Sequence, residues 1–290
     1  MIIVTPKEFR FHEILHFLKR SPKELLHTVD EERVYKLLEI NGKCYLLRIS
    51  AMDNGIKVEF LMGKADAMVR NKVTKYISDW FDLDKDLKPF YKLAKTDPYL
   101  KPLVKKHFGY RIVGQPDLYE SLVWAVLGQQ INLQFAYTLK QRFVQAYGTE
   151  VEFKGRSYFL FPDAASIVNV KPEDLLSLQF SNQKARYVIE ISNAFVNGEI
   201  SQDKLAKLSL EEAKEQLIKI KGIGNWTANY ALMKTFRYAD AFPLEDAGLK
   251  NAVKQCLGLD RAPTWKEIEK VFRKYKGWEA YATLYLWRML

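Results

Sequence analysis

Histidine is scarce and stops early. His12, His16, His27 and His107 are the only four, so nothing after residue 107 can use imidazole as a base or ligand. Chemistry in the C-terminal two-thirds must then rest on carboxylates, lysines, hydroxyls or aromatics. Cys44 and Cys256 are the only cysteines and lie far apart. Two thiols cannot build a four-thiolate zinc site or a four-cysteine iron–sulfur cluster, and a disulfide between them is not expected in a reducing compartment. No apolar run approaches the ~18 residues of a membrane span. The opening Met1-Ile2-Ile3-Val4-Thr5-Pro6-Lys7 lacks the charged lead and apolar core of a secretory signal. There is no internal repeat and no low-complexity segment. These absences predict a soluble cytoplasmic protein with no membrane partner, nucleoid-associated if bacterial.

What the chain does carry is positive charge: 45 Lys plus Arg against 35 Asp plus Glu, a net +10 and a pI near 9.3. A polyphosphate rewards distributed positive charge, so nucleic acid leads the partner classes; a basic protein with an acidic protein partner is the other reading. The 290 residues, 48% hydrophobic, suit two modest domains with ample sequence for a core.

Two kinds of pattern divide the chain. Up to about residue 88 it reads as mixed α and β. Phe9–Lys19 and Ala65–Trp80 have helical apolar spacing, and between them lie β-forming runs at Val34–Ile40, Cys44–Ile49 and Ile56–Phe60. Asn41-Gly42 and Asp53-Asn54-Gly55 separate the runs as hairpin turns, and Lys57 alternating with Glu59 marks one solvated face. From residue 89 to 290 helical periodicity takes over. Asp117 is placed to cap a helix over Leu118–Leu127, and a second runs to Tyr147, stopped by Gly148. Ser209 and Glu212 fit a capping box, and Asn225 is placed to cap a helix over Trp226–Phe236. The predicted fold class is α+β: a small N-terminal antiparallel-sheet domain (1–88), then an all-helical domain (89–290).

The most informative stretch is Leu217-Ile218-Lys219-Ile220-Lys221-Gly222-Ile223-Gly224-Asn225-Trp226-Thr227-Ala228-Asn229-Tyr230. An apolar helix end meets Gly-Ile-Gly, and another helix begins at once. Two glycines permit a tight turn, and the free backbone N–H groups of the new helix can hold a phosphate oxygen. Such a turn grips DNA backbone without reading sequence; Gly-x-Gly alone also fits an ordinary helix connection. Sixteen residues past Gly224 comes Asp240, followed by Ala241-Phe242-Pro243-Leu244-Glu245-Asp246-Ala247-Gly248-Leu249.

Hairpin and loop together resemble the helix-hairpin-helix (HhH-GPD) DNA glycosylase superfamily. Within it they are similar to the alkylation-repair branch, the bacterial inducible 3-methyladenine DNA glycosylases. Ala125-Val126-Leu127-Gly128-Gln129-Gln130-Ile131-Asn132 and Tyr281–Trp287 extend the likeness, which covers roughly residues 105–290. The resemblance implies Asp246 as the catalytic aspartate, a role compatible with capping the helix that follows, while Glu245 and Asp240 rank below it. It implies Tyr230 and Trp287, with Trp226 at the wall, as the base pocket, although aromatics at helical spacing are also ordinary core; Phe135, Tyr119 and Trp124 are read as core. It implies Gln130, with Gln129 as fallback, as the side chain that fills the stack when a base is flipped out. The backbone amides of Gly222, Gly224 and Thr227 would hold phosphate, with Lys219 and Lys221 adding charge. Peptide carbonyls of Ile218, Ile220 and Ile223 would hold a structural Na+ or K+; no other cofactor is implied.

Members that also cleave the strand place a lysine two residues after the second glycine. Here that position is Trp226, so no amine stands ready to form a Schiff base. The expected activity is a monomeric, monofunctional glycosylase removing alkylated purines such as 3-methyladenine and 7-methylguanine from duplex DNA. Oxidised or deaminated bases, or DNA binding without catalysis, are the alternatives.

Overall fold

The computed structural model describes all residues 1–290. Five strands, β1 (Ile2–Val4), β2 (Thr28–Asp30), β3 (Arg33–Ile40), β4 (Lys43–Met52) and β5 (Gly55–Met62), form one antiparallel sheet in the order β1-β5-β4-β3-β2. Both predicted turns are two-residue hairpins. Ile40 pairs with Lys43 across Asn41-Gly42, both at positive φ, and Met52 pairs with Gly55 across Asp53-Asn54. Gly55 makes room for the short edge strand, since a Cβ there would lie 2.3 Å from the Ile3 carbonyl oxygen. One sheet face, with Val34, Leu38, Leu47, Ile49, Ile56 and Val58, packs on α1 (Phe11–Leu18) and α2 (Ala67–Phe81).

The second unit runs through α3 (Lys88–Ala94), α4 (Leu100–Lys106), α5 (Leu118–Gly128) and α6 (Leu133–Tyr147). After a hairpin of β6 (Thr149–Phe153) and β7 (Arg156–Leu160) come α7 (Ala164–Ile167), α8 (Pro172–Ser177), α9 (Asn182–Val196), α10 (Gln202–Leu205) and α11 (Leu210–Leu217). It closes with α12 (Asn225–Phe236), α13 (Ala247–Cys256), α14 (Trp265–Phe272) and α15 (Glu279–Leu286). The predicted caps are present: Asp117 accepts from Glu120 N–H, and Ser209 and Glu212 form a capping box. Helices α5, α9 and α12 form its centre, with Leu122, Val126, Val188, Ile191 and Leu232 fully buried.

The helical domain is not wholly helical, and this is a correction. The β6–β7 hairpin turns at Lys154-Gly155, both at positive φ, and Tyr158 packs with Leu37 and Leu46 on the outer face of the first sheet. Thr-Glu-Val-Glu-Phe has the alternation of a strand, but its turn lacks the usual Asn or Asp. A second correction concerns α12. Gly224, not Asn225, is its N-cap, and no side chain caps it.

The two units share an interface with buried charge. Lys140 of α6 pairs with Glu24 (3.0 Å) and Glu120 (3.3 Å), all with side chains at most 12% exposed. Burial would raise the Glu24 carboxyl, but the Lys140 ammonium reverses this and holds it down at about 2. Gly114 lies between the units, its place for a Cβ being 2.7 Å from the Asp79 carbonyl and 3.0 Å from that of Lys234.

Lys140→Met leaves two buried carboxylates without their shared cation and is expected to lower stability by about 3–5 kcal/mol at neutral pH. Because Glu24 titrates below its ordinary 4.5, its contribution is complete above that value and lost as pH falls toward about 2. Denaturant unfolding of both proteins should show the difference closing across that window.

Candidate active site

The geometry converges on Asp246. As N-cap of α13 its Oδ1 accepts from Leu249 N–H at 2.7 Å. The same oxygen accepts from Trp287 Nε1 at 2.9 Å, and Oδ2 accepts from Trp226 Nε1 at 3.2 Å. Three donors from three elements thus hold one carboxylate, which stays half-buried. Gly248 permits the approach, for a Cβ there would stand 3.1 Å from Asp246 Oδ1 and 3.2 Å from the Trp287 ring. Glu245 and Asp240 are exposed and have no part in this network.

Trp226 and Tyr230 stand one turn apart on α12 and therefore on one face. Their rings stack at 5.4 Å with 25° between planes. Trp226, Tyr230 and Trp287 are each half-buried, so the structure brings all three predicted pocket aromatics and the predicted carboxylate into one accessible recess. The indoles differ from expectation in one respect: both direct their N–H at Asp246 as well as presenting ring surface. Trp124, read as core, is indeed buried, but its Nε1 donates to the Tyr230 hydroxyl at 3.1 Å and fixes that ring.

The hairpin lies between α11 and α12. Gly222 has φ +99°, and a Cβ there would strike the Tyr187 ring at 2.2 Å. Gly224 is exposed with open space before it. With no side-chain cap, the first N–H groups of α12 are available to an anion, helped by the helix dipole. Lys219 and Lys221 flank the turn in solvent. Of the three carbonyls implied for a monovalent ion, that of Ile220 also accepts from Ile223 N–H at 3.0 Å, while Ile218 is exposed. These neutral peptide oxygens suit a monovalent cation.

The two glutamines separate. Gln129 turns inward, its Nε2 donating to Gly222 O and Thr227 Oγ1, each at 3.0 Å, and so ties its loop to the hairpin. Gln130 is exposed at φ +56°, with Leu133, half exposed, a few residues on.

The N-terminal unit also supports the recess, through contacts that no local motif marks. Arg288, next to Trp287, donates to Glu13 of α1 at 3.1 Å. Arg20 hydrogen-bonds Tyr137, and its guanidinium lies 6.0 Å from the Trp124 ring.

Comparison with known proteins places the chain in a family. Residues 123–277 match the family model described as HhH-GPD superfamily base excision DNA repair protein, and residues 2–122 match 8-oxoguanine DNA glycosylase, N-terminal domain. The chain belongs to the HhH-GPD superfamily. It is 41% identical to a DNA-3-methyladenine glycosylase of Bacillus subtilis over all of this chain and 97% of that one. Its fold matches a 3-methyladenine DNA-glycosylase from Archaeoglobus fulgidus with TM-score 0.86 at 22% identity, covering 99% of this chain and 97% of the other. It also matches, with TM-score 0.77 at 20% identity over 100% and 97% of the two chains, a Clostridium acetobutylicum 8-oxoguanine glycosylase/lyase bound to double-stranded DNA. This HhH-GPD protein is a base-excision DNA glycosylase, a hydrolase whose substrate is DNA.

Trp287→Phe keeps an aromatic ring but removes one of the two indole donors to Asp246. A hydrogen bond to a charged group contributes about 1.5–3 kcal/mol, so single-turnover base excision is expected to slow by roughly tenfold or more. An unchanged rate would show that this donor does not matter to the reaction.

Proposed function

We propose that the protein is a monofunctional glycosylase that hydrolyses the N-glycosidic bond of alkylated purines, including 3-methyladenine and 7-methylguanine, in duplex DNA. The observation that carries this reading is the Asp246 carboxylate held by two indoles beside the Trp226–Tyr230 stack. As the bond to the base breaks, positive charge grows on the deoxyribose. An ionised carboxylate beside C1′ stabilises that charge and orients the attacking water. The base leaves with the bonding electron pair, water supplies the new C1′–O bond, and its proton passes to Asp246 or solvent.

A purine alkylated at N3 or N7 is already cationic, so it departs neutral without a general acid. That suits α12, α13 and α15, none of which contains a histidine. The aromatic walls hold such a cation by stacking and cation–π attraction, and the base reaches them by leaving the duplex. The Bacillus relative, named for 3-methyladenine and aligned over the full chain, supports the same lesion class.

Gln130 is the side chain that enters the vacated stack, where its amide can also hydrogen-bond the orphaned base. The α12 amides, Gly222 and Gly224, and Lys219 and Lys221 hold the backbone, and the Ile218, Ile220 and Ile223 carbonyls take a structural monovalent ion. No step of the chemistry passes through that ion. Lyase activity is not expected: Trp226 fills the lysine position, and Lys234 is buried against the Val113 carbonyl.

The test is release of free base from DNA carrying radiolabelled methyl groups. Wild type is expected to release 3-methyladenine and 7-methylguanine, leaving strands that break only on later alkali treatment. Asp246→Asn is expected to bind the same DNA and release nothing; an active Asp246→Asn protein would remove the carboxylate from the mechanism. Release confined to oxidised or deaminated bases in a parallel panel would move the lesion class.

A further inference from the structure

Helix α9 carries no residue of the Asp246 recess, yet it lies beneath both loops assigned to DNA. The Tyr187 ring is the surface on which the Gly222 turn rests. Three residues earlier Lys184 is buried, with 7% of its surface exposed. Its Nζ donates to Val126 O (2.8 Å), Leu127 O (2.9 Å) and Gln129 O (2.7 Å). All three ammonium protons are thus used on the last turn of α5 and the residue just before Gln130.

Those carbonyls end a helix, Val126 O also accepting from Gln129 N–H at 3.2 Å, and the negative end of the α5 dipole falls on them. Burial without a carboxylate in contact pushes the amine down to about 8, so the chain keeps a desolvated cation here for peptide oxygens alone. The next residue, Gln130, is held at φ +56°, a conformation that non-glycine residues adopt rarely. Gln129 completes the frame by bonding across to Gly222 and Thr227.

We propose that Lys184 is the positioning residue of the intercalating loop: its three carbonyl contacts hold Gln130 poised at a fixed offset from the hairpin, and so control how readily the damaged base is flipped. The helix-end carbonyls and the hairpin turn become one rigid tool, with α9 as its mount. Lys184 acts through Gln130 and touches neither base nor sugar. The inference rests on the glycosylase reading above and on the role given there to Gln130.

The experiment compares full-length wild type, Lys184→Met, Gln130→Ala and the double variant. Flipping is read from 2-aminopurine fluorescence beside a stable abasic analogue, a signal that needs no base release, so failure of the lesion assignment stays distinguishable from failure of this proposal. Single-turnover excision at saturating methylated DNA gives the rate, and undamaged duplex gives the affinity of the hairpin grip. For Lys184→Met we expect unchanged circular dichroism, affinity for undamaged duplex within twofold of wild type, loss of most of the flipping signal, and an excision rate at least tenfold lower. The double variant is expected to be no slower than Gln130→Ala. Intact flipping, or losses that multiply in the double variant, would overturn the proposal. Should Lys184→Met not fold, Lys184→Gln retains two amide donors; flipping slowed at least threefold in folded protein is the expected result, and unaltered flipping overturns the proposal.

Discussion

A single carboxylate with three donors organises the C-terminal part of the helical unit. Asp246 caps α13, and the same two oxygens accept the indole N–H of Trp226 from α12 and of Trp287 from the C-terminal segment. Each donor fixes a different element, so the loop after α12, the start of α13 and the end of the chain have one mutually consistent placement. The contacts also keep a negative charge in a partly dry recess, where an unpaired carboxylate would be costly. Helix cap and proposed catalytic carboxylate are therefore one arrangement. The cap and the two indole N–H groups together set the position of that carboxylate.

That arrangement depends on the N-terminal unit through contacts distant in sequence. Trp287 is followed by Arg288, whose partner Glu13 lies on α1. Tyr230 is fixed by Trp124, and Trp124 lies under the Lys140 and Arg20 cations at the interface. The buried Lys140–Glu24–Glu120 group is an expensive way to join two units, because desolvation offsets much of its Coulomb energy. What it supplies is register: a one-residue slip at the interface would strand a buried charge. The β6–β7 hairpin adds an apolar strut on the other side of the same sheet.

Local features were readable from sequence in proportion to how local their causes are. Turns with Asn-Gly, the Asp117 cap, the Ser209–Glu212 box and the Asp246 cap each follow from residues within three positions, and each is present. The recess residues came from a family resemblance that spans the hairpin and the loop after it. Three things escaped. Lys154-Gly155 makes a tight turn without the usual side chain, and the strands it joins find their apolar partner only in another unit. Asn225 has a capping side chain, but the glycine before it takes the extended N-cap conformation and moves the helix start by one residue. Lys184 looks like any helical lysine, because its partners are backbone carbonyls more than fifty residues away and carbonyls have no sequence signature.

One helix joins the hairpin to the Asp246 recess. The first turn of α12 leaves its N–H groups free for phosphate, because glycine rather than a polar side chain precedes it. Trp226, within that turn, reaches the Asp246 carboxylate, and Tyr230 one turn later stacks on the Trp226 ring. Thr227, on a different face, takes the hydrogen bond that fixes the loop bearing Gln130. A 12-residue helix is about 18 Å long, so the proposed phosphate grip, base pocket and stack-filling loop sit within a span comparable to the width of a DNA duplex. Adding a capping side chain at Gly224 would stabilise the helix locally, but it would also occupy the donors that an anion needs. The uncapped start of α12 is thus a stability cost retained at the point proposed to bind DNA, offset by a core in which Ala228, Ala231, Leu232 and Met233 of the same helix are fully buried.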